Sequence, residues 1–554
     1  MIGLVTATAS GRRLADRLAA SLAPVRSYPV GEIDRAWAEC ERLVCFLATG
    51  ATVRLLARRL TDKHTDPGVV CVDEAGRYAV ALIGGHAGGA NALARRVSAV
   101  LGAEPVVTTA SDVTGLTALD SLGWPVEGDV AAVTAALLDG RRVTLAADAI
   151  WPLPALPVVE VVVAELGAPC LVVTDRLVAP PRPAVVLRPP SLVVGVGASR
   201  GAPAAEVLEL VRGALAEAGL AEASIRHLAT VAAKADEPGI VAAAAELARP
   251  LVAQPADALA AVAVPHPSDV VRAAVGTPSV AEAAALLGGN ADLVVAKRKS
   301  ATATVAIARH RPRGRLAVVG LGPGARDLLT PRAAAELRRA GVIVGLDRYV
   351  EQIRDLLPPG AQVLVSGIGA EEERARAAVD HARAGRAVAL VGSGDAGVYA
   401  MASPALELAD GSFDVVGVPG VTAALAAAAL LGAPLGHDHV AISLSDLHTP
   451  WEAIERRVSA AAEGDLVVTF YNPRSRGRDW QLAKALGILA GHRPTTTPVG
   501  VVTDASRPGE QVDLTTLADV DPARVGMTTV VVVGSSQTRT VAGRMVTPRG
   551  YRWG

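Results

Sequence analysis

Apolar residues in this chain fall in short unbroken runs, each closed by glycine or a polar turn: LVVGVG at 192–197, LAVVGL at 316–321, AVALVG at 387–392, VVVVG at 530–534. Between the runs lie longer stretches in which Ala and Leu are interspersed with Arg, Glu and Asp. A run apolar at every position, not every second one, predicts a strand covered on both faces, and the intervening stretches predict the helices that cover it. The N-terminus repeats the unit, MIGLVTATASGRRLADRL reading as strand, loop and helix. The pattern predicts an α/β chain with largely parallel sheets.

Three breaks interrupt it. WPLPALP at 151–157 and APPRP at 179–183 bracket a proline-rich region, and proline at that density favours extended linker over packed helix. RHRPRGR at 309–315 is charged, contains proline and directly precedes LAVVGL. The expected organisation is an N-terminal α/β domain over 1–120, a middle or linker domain over 121–190, a third α/β domain over 191–310, and a C-terminal unit over 315–545. At 554 residues the chain is long enough for several domains.

Charge narrows the function classes. Lys and Arg number 54 against 55 Asp and Glu, so no bulk field attracts nucleic acid or an anionic membrane. No apolar run reaches the length of a membrane span, and the first residues lack the features of a signal peptide. A cytoplasmic enzyme is expected. Cys40, Cys45, Cys71 and Cys170 show no C-x-x-C spacing, so they read as buried thiols, with no metal site expected.

Candidate chemistry concentrates in two glycine-rich turns, VGLGPGARDLLT at 319–330 and SGDAGVYAM at 393–401, each closing an apolar run. Two such strand ends facing one crevice suit a small polar ligand held by main chain. Gly320-x-Gly322-x-x-Ala325 resembles a dinucleotide fingerprint. However, Pro323 sits inside the turn, and the helix signal comes only at Thr330 as N-cap with Pro331 at the first helical position. The acidic residue a ribose would need is poorly placed, the nearest being Asp347. A nicotinamide-dependent oxidoreductase is therefore the weaker reading.

Five segments occur in the order of the tetrapyrrole methylases: VGLGPG, SGDAGVYAM, PGVTAA at 419–424, ISLSD at 442–446 and FYNPRSRGR at 470–478. Residues 315 to about 543 thus resemble that family, and YNPRS resembles its precorrin-3B C-17 methyltransferase branch. The resemblance implies a two-lobed class III methyltransferase fold, S-adenosyl-L-methionine as cofactor, a precorrin substrate and a homodimer formed through this unit. Its cofactor-binding positions are Gly322, Pro323, Gly324, Ser393, Asp395, Gly397, Val398, Tyr399, Thr422, Ala423, Tyr471, Asn472, Thr528 and Thr529. Glycines permit close backbone approach. Asp395 offers an acceptor for the ligand or, alternatively, a helix N-cap. Ala396 departs from the family, where proline is common, and predicts a slightly looser turn that still binds cofactor. Arg474, Arg476 and Arg478 read either as a solvated loop or as a grip on substrate carboxylates.

Residues 1–310 resemble cobalt-precorrin-5A hydrolase, through ATGATVRLLA (48–57), DKHTDPGVVCVDEAGRYAVALIGGHAGGANALA (62–94), PVVTTASD (105–112), KADEPGI (234–240), VGTPSVAEAAALL (275–287) and KRKSATATVA (297–306). In GGHAGGAN, after the predicted strand YAVALI, free N–H groups and a helix opening at Asn91 suggest an anion pocket. His86 is the candidate general base, or else a structural histidine. Thr49, Asn91, Thr108, Thr109 and Asp112 are candidate substrate contacts at strand ends. Lys234, beside Asp236 and Glu237, either orients a carboxylate or belongs to a surface ion-pair group. Lys297, Arg298 and Lys299 precede an expected hairpin turn at Ser300–Ala303 and read either as a solvated basic turn or as a grip on the substrate's acid side chains.

Together the two resemblances imply a bifunctional enzyme of cobalamin synthesis. The C-terminal half methylates C-17 with ring contraction, and the N-terminal half opens a lactone and releases acetaldehyde. Cobalt enters only as part of the substrate. A methyltransferase whose N-terminal half merely binds corrinoid is the alternative.

Overall fold

The structure is a computed structural model and describes residues 1–62, 65–85, 88–109, 114–162, 168–475 and 477–551. The chain divides into two compact units. One comprises Met1–Ile150, Leu156–Pro312 and Pro358–Gly360; the other comprises Trp151–Ala155, Arg313–Leu357 and Ala361–Gly554.

Among the described residues the first unit holds three sheets. The first has six strands in the order Val25–Pro29, Ile2–Thr6, Arg42–Phe46, Gly68–Val72, Tyr78–Ile83 and Glu104–Val106. All neighbours are parallel except Gly68–Val72 with Tyr78–Ile83. Successive residues of one strand serve opposite cores. Val44 and Phe46 pack with Leu18, Leu93 and Val97, while Leu43 and Cys45 pack with Ile33, Ala36 and Leu56. This two-sided burial is why the runs are apolar at every position. All four cysteines are buried and unpaired.

The second sheet lies in the stretch expected as a middle or linker domain. Its five strands run Val126–Gly128, Ala184–Leu187, Cys170–Val173, Thr144–Ala147, Val159–Val161. The prolines of 151–157 and 179–183 fall in connections between these strands, where a missing N–H costs no ladder bond. Proline density marked the connections and concealed the short strands they join.

The third sheet runs Leu251–Gln254, Ile225–Val231, Leu192–Ala198, Ala303–His310, Ala291–Lys299, the last two forming an antiparallel hairpin. Its turn is closed where the Ser300 N–H donates to the Ala303 carbonyl at 2.9 Å. Asp175 links the second sheet to the third, since its carboxylate accepts from Arg309 at 2.6 and 2.7 Å and from Ser191 Oγ at 2.6 Å.

The second unit has two five-stranded sheets. One is wholly parallel: Gln362–Ser366, Val342–Leu346, Ala387–Gly392, Arg315–Gly320, Asp414–Val418. Its faces are covered by helices that include Glu371–Arg383 and Pro331–Arg339. The former opens with three glutamates and closes with Arg383, matching the helix dipole. The other sheet runs His439–Ser443, Val467–Tyr471, Thr529–Val533, Pro498–Thr503, Gln511–Thr516, with only the first pair parallel. A small three-stranded sheet joins Gly432–Ala433 to Arg544–Val546 and Arg539–Val541.

Candidate functional site

The two glycine turns of the second unit meet directly. Strands Arg315–Gly320 and Ala387–Gly392 are parallel neighbours in full register, so their turns emerge side by side. The Gly322 N–H donates to the Gly394 carbonyl at 3.0 Å and the Gly394 N–H to the Gly322 carbonyl at 2.7 Å. Gly420 packs against both, and a Cβ there would lie 2.2 Å from the Gly394 carbonyl oxygen. A side chain at 420 would force the turns apart. After the first turn a loop intervenes, and helix Pro331–Arg339 begins where Thr330 Oγ1 accepts the Ala333 N–H at 3.1 Å. The helix N-terminus therefore does not abut the turn, as a dinucleotide fold requires.

The turns border a cleft of 160 Å³ between the two sheets of this unit. Pro323, Ser393, Asp395, Val398, Tyr399 and Thr422 line it. So do Ala423, Tyr471, Asn472, Thr528 and Thr529. Of the expected cofactor positions, Gly322, Gly324 and Gly397 shape the turns without lining the cleft.

Asp395 caps no helix. Its Oδ1 accepts the Gly397 N–H at 2.8 Å and its Oδ2 the Gly420 N–H at 3.0 Å, tying the second turn to the Pro419–Gly420 turn. Tyr471 closes the opposite side: its hydroxyl pairs with Thr422 Oγ1 and accepts the Ala424 N–H at 3.0 Å. It thereby satisfies an amide in the first turn of helix Ala423–Leu431. Tyr399 packs against Tyr471 with ring centroids 5.2 Å apart and the planes tilted by 54°, and donates its hydroxyl to the Ala441 carbonyl at 2.8 Å. Burial, with a smaller push from Tyr471, raises its phenol above the ordinary tyrosine range, so it remains a donor. Ala396 is buried in the apolar core beneath the turn.

Backbone strain collects here. Eight non-glycine residues among those described have positive φ, and Tyr399 (50°), Asn472 (49°) and Asp504 (50°) line the cleft, with Ser506 (61°) beside it. Such clustering is characteristic of ligand-holding loops.

Reading the sequence missed Arg348, Tyr349, Asp504, Arg507 and Met527, all of which line the cleft. Arg507 donates Nε–H to the Pro323 carbonyl at 2.6 Å and Nη2–H to Ser393 Oγ at 2.7 Å. Arg348 and Tyr349 follow VIVGL and Arg507 follows PVGVVT, so each lies just beyond an apolar run, at the same kind of strand end as the glycine turns.

A larger cleft of 780 Å³ adjoins the first. The two share Arg348, Tyr349, Ser393, Tyr399, Asn472 and Met527. Beyond that seam the larger cleft is lined by Arg374, Arg376 and His448, by Glu371, Glu372 and Glu407, and by apolar Ile368 and Met401, with Arg376 paired to Glu372 at 2.9 Å. The arginine loop is built into the fold. Arg474 donates to the Ala523 carbonyl at 2.6 Å. Arg478 donates to Ser445 Oγ at 3.2 Å and to the Asn472 carbonyl at 3.1 Å, holding that strained residue. Burial lowers the Arg478 pKa, against the pull of Asp446. Arg476 lies outside the described residues.

Family models match three segments: Tetrapyrrole (Corrin/Porphyrin) Methylases over residues 315–521, Cobalamin synthesis G N-terminal over 32–112, and Cobalamin synthesis G C-terminus over 192–308. A relative named "Probable cobalt-factor III C(17)-methyltransferase", from Salmonella typhimurium, is 48% identical over 239 residues, which are 43% of this chain and 99% of that protein. The chain belongs to the tetrapyrrole methylases. The "Cobalt-factor III methyltransferase" of Priestia megaterium is 43% identical over 247 residues, and there the match spans only 46% of the relative. Among solved structures, that of the methyltransferase CobJ is similar at 40% identity and a TM-score of 0.41, covering 42% of this chain and all of that one. Ahead of the tetrapyrrole methylase segment, the chain carries both cobalamin synthesis G segments.

In that N-terminal half, GGHAGGAN follows strand Tyr78–Ile83 and opens helix Ala90–Leu101, with Gly89 left-handed as N-cap. The N–H groups of Ala90 and Asn91 are not free: they donate to the carbonyls of Gly84 and Gly85 at 3.1 and 3.0 Å. These two amides are therefore occupied, where free N–H groups were expected. Asn91 is buried and donates Nδ2–H to Thr109 Oγ1 at 2.9 Å, so these two candidates meet, while Thr108 is exposed. His86 and Asp112 lie outside the described residues. Thr49 begins helix Thr49–Leu56. Lys234 Nζ lies 3.5 Å from Glu237 Oε2, and Glu237 Oε1 accepts the Gly201 N–H at 2.6 Å.

Proposed function

We propose that this chain is a bifunctional enzyme of corrin-ring synthesis. The C-terminal unit would methylate C-17 of a (cobalt-)precorrin-3 with ring contraction. The N-terminal half would add water to the lactone of cobalt-precorrin-5A, opening it and releasing acetaldehyde. The observation that carries the methyltransferase reading is the pair of adjoining clefts sharing six residues. The smaller has the polar lining that a compact donor needs; the larger is wide and lined by both charged and apolar side chains, Arg348 among them, as a carboxylate-bearing macrocycle needs. The ring position follows from what the relatives are named, and the lactone reading from the cobalamin synthesis G segments.

The lining of the smaller cleft fits S-adenosylmethionine, a ligand with a cationic sulfonium, a carboxylate, a ribose and an adenine. It combines main-chain groups of the glycine turns, the hydroxyls of Ser393, Thr422 and Thr528, a carboxylate at Asp395 and a guanidinium at Arg507. When bound, that cofactor supplies an electrophilic methyl group. The chain's own task is alignment, since displacement at a sulfonium needs no strong base. The turns fastened by Asp395 and Arg507 fix the floor of the smaller cleft. Tyr399, Asn472 and Met527, on the seam, orient whatever lies across both. Arg348 and Arg376 face the larger cleft and would steer substrate carboxylates.

In the N-terminal half, His86 would serve as general base toward water, with Asn91, Thr108, Thr109, Asp112 and Lys234 as substrate contacts. Cobalt would arrive within the substrate, and the protein would act as a homodimer.

The test is anaerobic incubation of the chain with cobalt-precorrin-3 and S-adenosylmethionine, read by mass spectrometry. One added methyl with the spectrum of a contracted ring is the expected result. Absence of turnover despite S-adenosylhomocysteine binding would refute the ring position. Cobalt-precorrin-5A should then yield acetaldehyde, lost in His86→Ala while methylation persists. No acetaldehyde from the parent chain would reduce the N-terminal half to a binding module.

A further inference from the structure

The third sheet of the first unit carries a cleft of 440 Å³. It opens beyond the carboxyl end of strand Leu192–Ala198, where Gly197, Ala198 and Ser199 form part of its lining. That edge is where α/β sheets hold ligands.

Three features point to the occupant. The first is charge. Lys234, Lys297 and Lys299 line the cleft, and no carboxylate does. Lys297 Nζ donates to the neutral His266 carbonyl at 2.7 Å, and among the described residues neither Lys297 nor Lys299 is ion-paired. Lys234 is paired with Glu237 at 3.5 Å, and of the two carboxylates adjacent in sequence to the lining, Asp269 is exposed and Glu282 fully buried. Glu282 accepts His266 Nδ1 at 2.7 Å and the N–H groups of His266 and Lys297 at 3.0 and 3.1 Å.

The second is an orphan. Ser279 lines the cleft at 1% exposure, and its hydroxyl has no hydrogen-bond partner among the described residues. A buried hydroxyl left unpaired costs about 1–3 kcal/mol, so such groups mark places where something else bonds.

The third is shape and polarity. The wall formed by helix Asp269–Val275 is apolar, presenting Val270, Val271, Ala274 and Val275, and Val270 is 81% exposed. The opposing hairpin turn is held in place, because Glu206 accepts both the Thr302 N–H at 2.8 Å and Thr302 Oγ1 at 2.6 Å.

We infer that this cleft binds the carboxylate-bearing rim of a flat, apolar macrocycle, with lysines on the carboxylates and the valine wall on the ring. This rests on the reading that the N-terminal half handles a corrinoid lactone, and it assigns that half a second point of attachment, distinct from the turn at 84–91. A small anion would not need the valine wall, and an uncharged macrocycle would not need the lysines.

The probes are dicyanocobyrinic acid, which carries the carboxylates, and dicyanocobinamide, in which they are amidated, titrated into the full chain by calorimetry. The double variant Lys234→Gln/Lys299→Gln should weaken the acid about tenfold, the loss expected for charge-assisted bonds, and leave the amide unchanged. Lys234→Arg/Lys299→Arg should restore it. Equal affinity of the parent and the glutamine variant for the acid would overturn the assignment. So would competition by citrate at the same concentration as the acid, which would make this a small-anion site. Acetaldehyde release separates the two readings. Lysine-dependent binding without acetaldehyde from the parent would sink the hydrolase and keep the cleft; acetaldehyde with lysine-independent binding would do the reverse.

Discussion

Arg507 donates to the Pro323 carbonyl at 2.6 Å, so a guanidinium from the loop after strand Pro498–Thr503 fastens the glycine turn that closes strand Arg315–Gly320. Its second donor reaches Ser393 Oγ, in the other glycine turn, at 2.7 Å. Lysine cannot span both acceptors, because the fork geometry belongs to guanidinium. Arg507→Lys should therefore raise the Kd for S-adenosylhomocysteine about tenfold by calorimetry. An unchanged Kd would show the clamp to be a bystander.

Gly324 lies under the same clamp. Its φ is +149°, and a Cβ would sit 2.5 Å from Arg507 Cγ. Gly324→Ala should weaken cofactor binding by dislodging Arg507, so Gly324→Ala and Arg507→Lys should cost less together than the sum of their separate effects. Simple additivity in a double-mutant cycle would mean that the glycine acts through backbone strain alone.

The two oxygens of Asp395 serve the Gly397 and Gly420 amides, so its carboxylate is a brace between turns as well as part of the cleft wall. Asp395→Asn would place an amide donor against one of those N–H groups. The expected loss is about 1–3 kcal/mol of stability, seen in denaturant unfolding, together with weaker S-adenosylhomocysteine binding. Weaker binding at unchanged stability would assign the carboxylate to the ligand and not to the brace.

These residues show what a sequence displays and what it withholds. Thr330 with Pro331, and the glycines that join the two turns, announce themselves because cap and turn chemistry is local. Arg507 and Arg348 do not, because their partners and clefts exist only once distant strands are side by side. The middle sheet was hidden for a related reason. Its strands are three or four residues long and its prolines are conspicuous, so local signals left domain and linker both open, and only pairing between strands makes the sheet. Of the free N–H groups expected in GGHAGGAN, those of Ala90 and Asn91 are occupied, because the carbonyls of Gly84 and Gly85 accept from them.

His227, on strand Ile225–Val231, is held neutral. Burial first, then the charges of Arg226 and His310, take it from its ordinary value of 6.5 to about 4. His310 is lowered as well, chiefly by burial, and its Nε2 lies 2.8 Å from the Ala285 carbonyl. Between pH 6.5 and 4 the unfolded chain binds the His227 proton and the folded chain does not. Stability is therefore full above pH 6.5 and declines as pH falls toward 4. His227→Gln should flatten that part of a melting-temperature profile. An equally steep acid limb in the variant would place the titrating group elsewhere.

Tyr471 offers the sharpest separation of structure from ligand binding. Its hydroxyl accepts the Ala424 N–H, an amide that helix Ala423–Leu431 cannot satisfy internally, and pairs with Thr422, the helix N-cap residue. Its ring packs at a tilt against Tyr399, and the residue lines the cleft. Tyr471→Phe removes the hydroxyl and keeps the ring. The helix then loses a cap worth about 1 kcal/mol, and the melting temperature should fall by a few degrees. Cofactor affinity should fall less than in Tyr471→Ala, which also removes the ring under Tyr399 and frees a residue strained at φ 50°. If phenylalanine instead abolished S-adenosylhomocysteine binding while leaving the melting temperature untouched, the hydroxyl would be a ligand contact and its bond to Ala424 incidental.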